Sequence, residues 1–127
     1  MIFDTDVLIW YQKRSLRAVH FIDSVDADHR FISVQTYMEF LQGSRSKSEV
    51  ALMRDFLNKL SFRILPLTEN IGHRASMWIE DYSGSTGLRS GDAIIAATAM
   101  ENNLPLVSAN FKHFKRIHNL KLVKFKP

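Results

Sequence analysis

Met1-Ile2-Phe3-Asp4-Thr5-Asp6-Val7-Leu8-Ile9-Trp10 opens the chain, and its reading decides the fold. An apolar run breaks in Asp4-Thr5-Asp6 and resumes as Val7-Leu8-Ile9-Trp10. That order is the pattern of a buried strand, a turn and the first turns of a helix. In open α/β sheets, ligands bind beyond the carboxyl ends of the strands. Asp4 is expected at such an end with Asp6 two residues on, offering carboxylate where a cation or phosphate would dock. The same pattern is met by a helix cap, in which the Asp oxygens accept orphan backbone N–H groups. The stretch alone is compatible with both.

With 127 residues, 46% of them hydrophobic, the chain is long enough for one well-cored domain over 1–127 and too short for two ordinary ones. It has no cysteine, which excludes a disulfide framework and a thiolate metal site and leaves oxygen and imidazole as ligands. The two aspartates inside the opening run exclude a secretory or membrane-spanning reading of it. A cytoplasmic protein with no membrane partner is expected. The formal charge is +4, and its distribution says more than its size. Glu101 is the last acid, and Lys112, Lys115, Arg116, Lys121, Lys124 and Lys126 follow it. Such an end could track a phosphate backbone or form a solvated basic face.

Outward from the opening stretch, strand and helix patterns alternate. Leu16, Val19, Phe21, Ile22 and Val25 recur at helical spacing over 15–26. Arg30-Phe31-Ile32-Ser33 is expected as a strand, with Ser33 capping a helix that carries Thr36 and Glu39 on one face. Tyr37, Met38, Phe40 and Leu41 crowd Glu39 with apolar bulk. A helix is expected from Ser48, a strand over 62–65 before Pro66, and a helix from Thr68 through Trp78 and Tyr82. Ser83-Gly84-Ser85-Thr86-Gly87 reads as a surface loop. The stretch 88–100 is apolar almost all round, so its helix must be buried, with Asp92 in the first turn where the macrodipole favours its charge. A strand over 104–108 runs into Ser108-Ala109-Asn110, a short turn follows at Lys112-His113-Phe114, and 120–125 alternates as an edge strand. The expected architecture is α/β, a three-layer fold with a mostly parallel sheet of about five strands flanked by helices on both faces.

Three of the polar candidates, Asp4, Asp92 and Asn110, follow a strand or open a helix, and Glu39 lies about a turn inside its own. Brought to one edge of the sheet, the three carboxylates would repel by several kcal/mol, as an order of magnitude, unless a cation or protons neutralised them. All-oxygen ligation with open positions points to Mg²⁺ or Mn²⁺. Such an ion can generate hydroxide from bound water and stabilise the leaving oxygen of a phosphodiester. No nucleophile with a paired base and no glycine-rich phosphate loop stands out.

Asp4-Thr5-Asp6, Thr36-x-x-Glu39, Asp92-Ala-Ile-Ile-Ala-Ala-Thr-Ala and Val107-Ser-Ala-Asn110-Phe-Lys-His113-Phe114 together resemble the successive motifs of PIN-domain nucleases. In size and order the chain is similar to the VapC-type toxins of toxin–antitoxin pairs. The resemblance implies a PIN-like five-stranded sheet, Mg²⁺- or Mn²⁺-dependent endoribonuclease activity, a homodimer and a cognate antitoxin. It carries the three acidic positions onto Asp4, Glu39 and Asp92 as catalytic metal ligands. Asn110 stands where many members have a fourth acid, and Asp6, Thr36 and Ser108 match supporting positions. Lys112, His113, Lys115 and Arg116 follow Asn110 directly and are expected to hold the RNA backbone beside the metal. Two rivals stand beside this reading. Phe3-Asp4-Thr5-Asp6 also resembles the first motif of haloacid-dehalogenase-type phosphatases, with Asp4 as nucleophile, although Val7-Leu8 departs from that pattern. The other is a PIN-like RNA-binding module without catalysis. Trp10, Tyr11, Tyr37, Phe40 and Leu41 are candidates for a groove that takes the antitoxin, and Trp78 and Tyr82 for the dimer interface.

Overall fold

Neighbouring side chains of a strand point to opposite faces of its sheet. In β1 (Ile2–Phe3) both are fully buried, so the strand is sealed on both sides, as parallel sheets under two helical layers are. The structure, a computed structural model, describes residues 1–127 apart from the side chains of Ser83, Ser85 and Thr86; where a loop is expected over 83–87, helix instead continues to Thr86 and ends at Gly87, whose φ of 74° is left-handed. Strands β2 (Phe31–Ser33), β3 (Arg63–Leu65), β4 (Leu106–Ser108) and β5 (Leu122–Lys124) complete a sheet of order β3-β2-β1-β4-β5 in which every pairing is parallel. The chain steps outward from β1 through β2 to β3, then returns to the other side of β1 for β4 and β5. The reversal falls between β1 and β4, where ligands of such sheets bind.

Phe3, Ile32 and Val107 pack under α1 (Thr5–Gln12), α2 (Leu16–Ser24), α3 (Val34–Gln42) and α4 (Lys47–Lys59). Ile2 and Leu106 pack under α5 (Glu69–Thr86), α6 (Ser90–Glu101) and α7 (Phe111–Phe114). Helix α6 is buried along its length, as its nearly all-apolar sequence requires. Four helices start on a hydroxyl cap: Ser15, Ser33, Ser46 and Thr68 accept from the N–H of Ala18, Thr36, Glu49 and Ile71 at 3.0–3.3 Å, each stabilising its helix by about 1 kcal/mol. The cap of α4 is Ser46, so that helix begins before Ser48. Helix α2 is shorter than its apolar spacing predicts: Val25 is already extended, and its carbonyl accepts from Arg30 Nε at 2.9 Å.

The Phe3 ring meets Phe21 and Phe62 edge-on, at centroid distances of 6.1 and 5.5 Å. Phe3→Ala should therefore lower stability by about 3–5 kcal/mol, read from the urea midpoint at unchanged slope. A loss under about 1 kcal/mol would mean that the ring is not packed as described.

Candidate active site

Asp4 leaves the end of β1 and caps α1, its Oδ1 accepting from Thr5 N at 2.8 Å. Its Oδ2 accepts from Ser108 Oγ at 2.7 Å across the β1/β4 reversal, and Ser108 Oγ in turn accepts from Asn110 N at 2.9 Å. Cap and site are thus one residue. Asp4 is only 4% exposed. Burial, and then the Asp6 charge, push its carboxyl up to about 7; the Ser108 hydrogen bond opposes them, while the Asp92 charge adds to the rise. Asp6 Oδ2 accepts from Ala109 N at 3.1 Å, whereas its Oδ1 is buried with no hydrogen-bond partner among the described residues. Burial raises the Asp6 carboxyl as well, against the Ala109 N–H that lowers it.

Helix α3, capped at the end of β2, carries Glu39 toward the same edge. Thr5 Oγ1 donates to Glu39 Oε1 at 2.5 Å and Gln35 Nε2 donates to Oε2 at 3.1 Å. The Thr36 hydroxyl lies 3.1 Å from that of Thr5. A hydroxyl has one proton to give, so with Thr5 committed to the carboxylate, Thr36 donates to the Thr5 oxygen. Gly91 lies against this carboxylate: a Cβ there would come within 2.7 Å of Glu39 Oε2. Asp92 enters from the first turn of α6, with Oδ2 accepting from Arg89 N at 3.3 Å. His113 Nδ1 stands 3.4 Å from the same oxygen, at ion-pair distance but without hydrogen-bond alignment. Burial raises the Asp92 carboxyl; the Arg89 N–H and then His113 lower it, and the Glu39 charge raises it again.

Glu39, Asp92, Asn110 and His113 line one cleft of about 430 Å³ with Gln35, Arg89, Ser90 and Gly91. Asp4 and Asp6 are not part of its lining, yet the Asp92 charge acts on both. Among the described residues no three His, Asp or Glu side chains stand close enough to hold one ion as they are. The acids form an electrostatic cluster rather than a closed coordination shell, with Glu39 held by Thr5 and Gln35. Of the expected RNA contacts, only His113 reaches this cleft. Lys115 and Arg116 line another, of about 420 Å³, with Tyr82 and His118, and Lys112 is exposed on α7. A helix turns by about 100° per residue, so neighbours in sequence around one turn need not share a face. Thr5, Gln35 and Gly91 are the residues that sequence reasoning missed. The Gln35–Glu39 spacing of one helical turn was an available signal; the other two act only through tertiary contact. Phe40 is core, Tyr11, Tyr37 and Leu41 are half-buried, and Trp10 is exposed with Lys13 Nζ 5.5 Å from its ring. Trp78 and Tyr82 are half-buried against the α5/α6 core.

A PIN-domain family model matches residues 1–120. Ribonuclease VapC10 of Mycobacterium tuberculosis (strain ATCC 25618 / H37Rv) is 32% identical over 123 residues, 95% of this chain and 90% of the relative. A toxin–antitoxin complex from Klebsiella pneumoniae contains a chain of 28% identity that superposes with a TM-score of 0.80, covering 97% of this chain and 95% of that one. VapBC2 from Rickettsia felis, bound to a DNA fragment from its promoter, has a similar fold at 24% identity and a TM-score of 0.79, over 99% of this chain and 100% of that one.

The raised Asp4 carboxyl has a consequence for stability. Its folded pKa of about 7 lies above the ordinary value near 4. The folded state therefore binds the extra proton, and the resulting stabilisation is complete below about pH 4 and lost as pH rises through about 7. In chelator-treated buffer the protein should lose up to about 4 kcal/mol between pH 4 and 8, and Asp4→Asn should remove most of that decline. Urea midpoints across this range are the measurement; equal slopes for the two proteins would place the effect elsewhere.

Proposed function

Because the chain belongs to the PIN-domain family, we propose that it is a metal-dependent endoribonuclease of the VapC type and the toxin of a toxin–antitoxin pair. The observation that carries the metal dependence is the buried Asp6 Oδ1, which has no partner, beside an Asp4 carboxyl pushed up to about 7 by burial and by Asp6. Both features are relieved by a cation, and the donors are all oxygen, which fits Mg²⁺ or Mn²⁺. Asp4, Glu39 and Asp92 would hold it, with Asp6 and Asn110 at its side. Bound there, the ion would supply a water of lowered pKa and stabilise the charge of the leaving oxygen. The chain's own residues do the rest. Ser108 and the Thr5 N–H fix Asp4, Thr5 and Gln35 aim Glu39, and the Arg89 N–H fixes Asp92, with His113 at ion-pair distance from it. Asn110 and His113, in the cleft lining, offer donors to the phosphates of a bound strand.

The phosphatase alternative gives way to the family match, and a nucleophilic role would suit Asp4 poorly, since it is buried with each oxygen already accepting a hydrogen bond. For the non-catalytic alternative no acid is missing among Asp4, Glu39 and Asp92. Solved structures similar to this chain include toxin–antitoxin complexes, which supports an antitoxin partner here. Trp10, Met38 and Leu52 are exposed on α1, α3 and α4, helices that pack together through Tyr11, Phe40 and Phe56. An amphipathic antitoxin segment would lay its apolar anchors on exposed side chains of this kind. Trp78 and Tyr82 remain our candidates for a homodimer contact.

Asp4→Asn, Glu39→Gln and Asp92→Asn should each lower RNA cleavage in Mg²⁺ by about 100-fold or more, and Gln35→Ala, which removes a donor to Glu39, by about tenfold. Single-turnover cleavage of a labelled RNA measures this, with circular dichroism to check folding; wild-type rates in Glu39→Gln would remove it from the site. Trp10→Ala together with Tyr37→Ala should weaken binding of the adjacent gene's product by about 2 kcal/mol or more. Unchanged affinity in calorimetry would put the antitoxin on another face.

A further inference from the structure

Phe111 is an aromatic residue that folding leaves outside. It directly follows Asn110, which lines the acidic cleft, and 37% of its surface is exposed although phenylalanine belongs to the residues most often buried. Lys124 Nζ stands 5.2 Å from the centre of its ring. Lys124 ends β5 and is the register partner of Ser108 on β4, the residue whose hydroxyl holds Asp4. Adjacent strands lie about 4.8 Å apart, so this cation and ring sit at the same carboxyl edge of the sheet as the acids, one strand beyond Ser108 and two beyond the β1 end that carries Asp4. Among the described residues, Lys124 makes no ion pair. No acidic side chain follows Glu101 in the sequence.

An exposed ring with an unpaired cation beside it is the equipment with which proteins hold single-stranded nucleic acid. The ring stacks a base without choosing among bases, and the cation meets a neighbouring phosphate. We propose that Phe111 and Lys124 form a nucleotide subsite flanking the acidic cleft, which takes a base and a phosphate of the single-stranded RNA whose scissile bond lies among the acids. In the free protein the ammonium occupies the ring by cation–π attraction. In the complex the base replaces it and Lys124 turns to the phosphate. The subsite rests on the nuclease reading, because it needs RNA in the cleft, and it adds to that reading a grip on the substrate two strands away from Asp4.

The test uses the full chain in the non-cleaving Glu39→Gln background, with fluorescein-labelled decauridylate and an abasic ribose-phosphate decamer as probes. Phe111→Ala should weaken decauridylate binding about tenfold, leave the salt dependence unchanged, and have no effect on the abasic decamer. Phe111→Trp should restore the affinity. Lys124→Ala should weaken both probes and reduce the slope of log affinity against log salt by about 0.7, the contribution of one phosphate on a single strand. Both side chains are exposed, so urea midpoints should stay at the parent value, and a large drop would assign the pair to structure instead. Equal affinity of Phe111→Ala and its parent for decauridylate overturns the subsite while leaving the nuclease reading intact. If that unchanged RNA affinity came with weaker binding of the antitoxin, Phe111 would belong to the protein partner. A parent that binds no RNA at any salt overturns both.

Discussion

Burial of Asp4, Asp6 and Asp92, together with their repulsion of one another and of Glu39, is the constraint around which this molecule is arranged. Four carboxylates reach one edge of the sheet from three directions: the end of β1, the second turn of α3 and the first turn of α6. Their fields overlap, since Asp6 and Asp92 raise the Asp4 carboxyl and Glu39 raises that of Asp92. A carboxylate out of water costs several kcal/mol unless hydrogen bonds or charges compensate. The two hydrophobic clusters on either face of the sheet supply the stability against which that cost is set. The site is therefore affordable only in a domain whose central strands are sealed on both faces.

The compensation is made of neutral donors drawn from the scaffold. Backbone N–H groups of Thr5, Arg89 and Ala109 meet Asp4, Asp92 and Asp6. Side chains of Ser108, Thr5 and Gln35 meet Asp4 and Glu39. These donors lie at the ends of secondary elements, where groups unused by helix or sheet are available. They also fix geometry: Thr5 joins β1 to α3 through one hydroxyl, so the place where Asp4 leaves its strand sets where Glu39 points. Gly91 completes the arrangement by taking no space where the Glu39 carboxylate passes α6.

Most of the architecture could be read from sequence because its signals are local. Ile2-Phe3 and Leu106-Val107 are continuous apolar pairs, as two-sided strands require, and the helices carry apolar stripes with hydroxyl caps before them. Asp4, Glu39 and Asp92 were legible for a related reason: an acid amid apolar residues has no purely solvated explanation. Thr5 was hidden in plain sight, a small hydroxyl between two aspartates whose role depends on a helix beginning about thirty residues later. The basic end was less informative for the opposite reason. A one-signed run gives charge without direction, and α7 turns His113 toward the acids while Lys115 and Arg116 line a different cleft. Lys124, far from Asn110 in sequence, comes beside Phe111 only because β5 pairs with β4.

The distribution of cations separates the acids of the site from those of the surface. Glu101 pairs with Arg74, Glu49 with Arg45 and Asp28 with Arg63. Among the described residues no Lys or Arg side chain pairs with Asp4, Asp6, Glu39 or Asp92; His113 beside Asp92 is the only basic side chain in ion-pair range. In a chain with 17 Lys and Arg against 13 acids, this is not for want of cations. An internal guanidinium would satisfy the cluster permanently, filling with fixed donors the lone pairs that a mobile ion needs. Neutral donors instead hold each carboxylate in place and leave its charge uncancelled. Asp6 Oδ1 shows how far this goes, since it is buried with no hydrogen-bond partner among the described residues. The fold thus carries an electrostatic deficit that its own side chains do not close, which a proton on Asp4 relieves in part and the cation of the proposed function would relieve further.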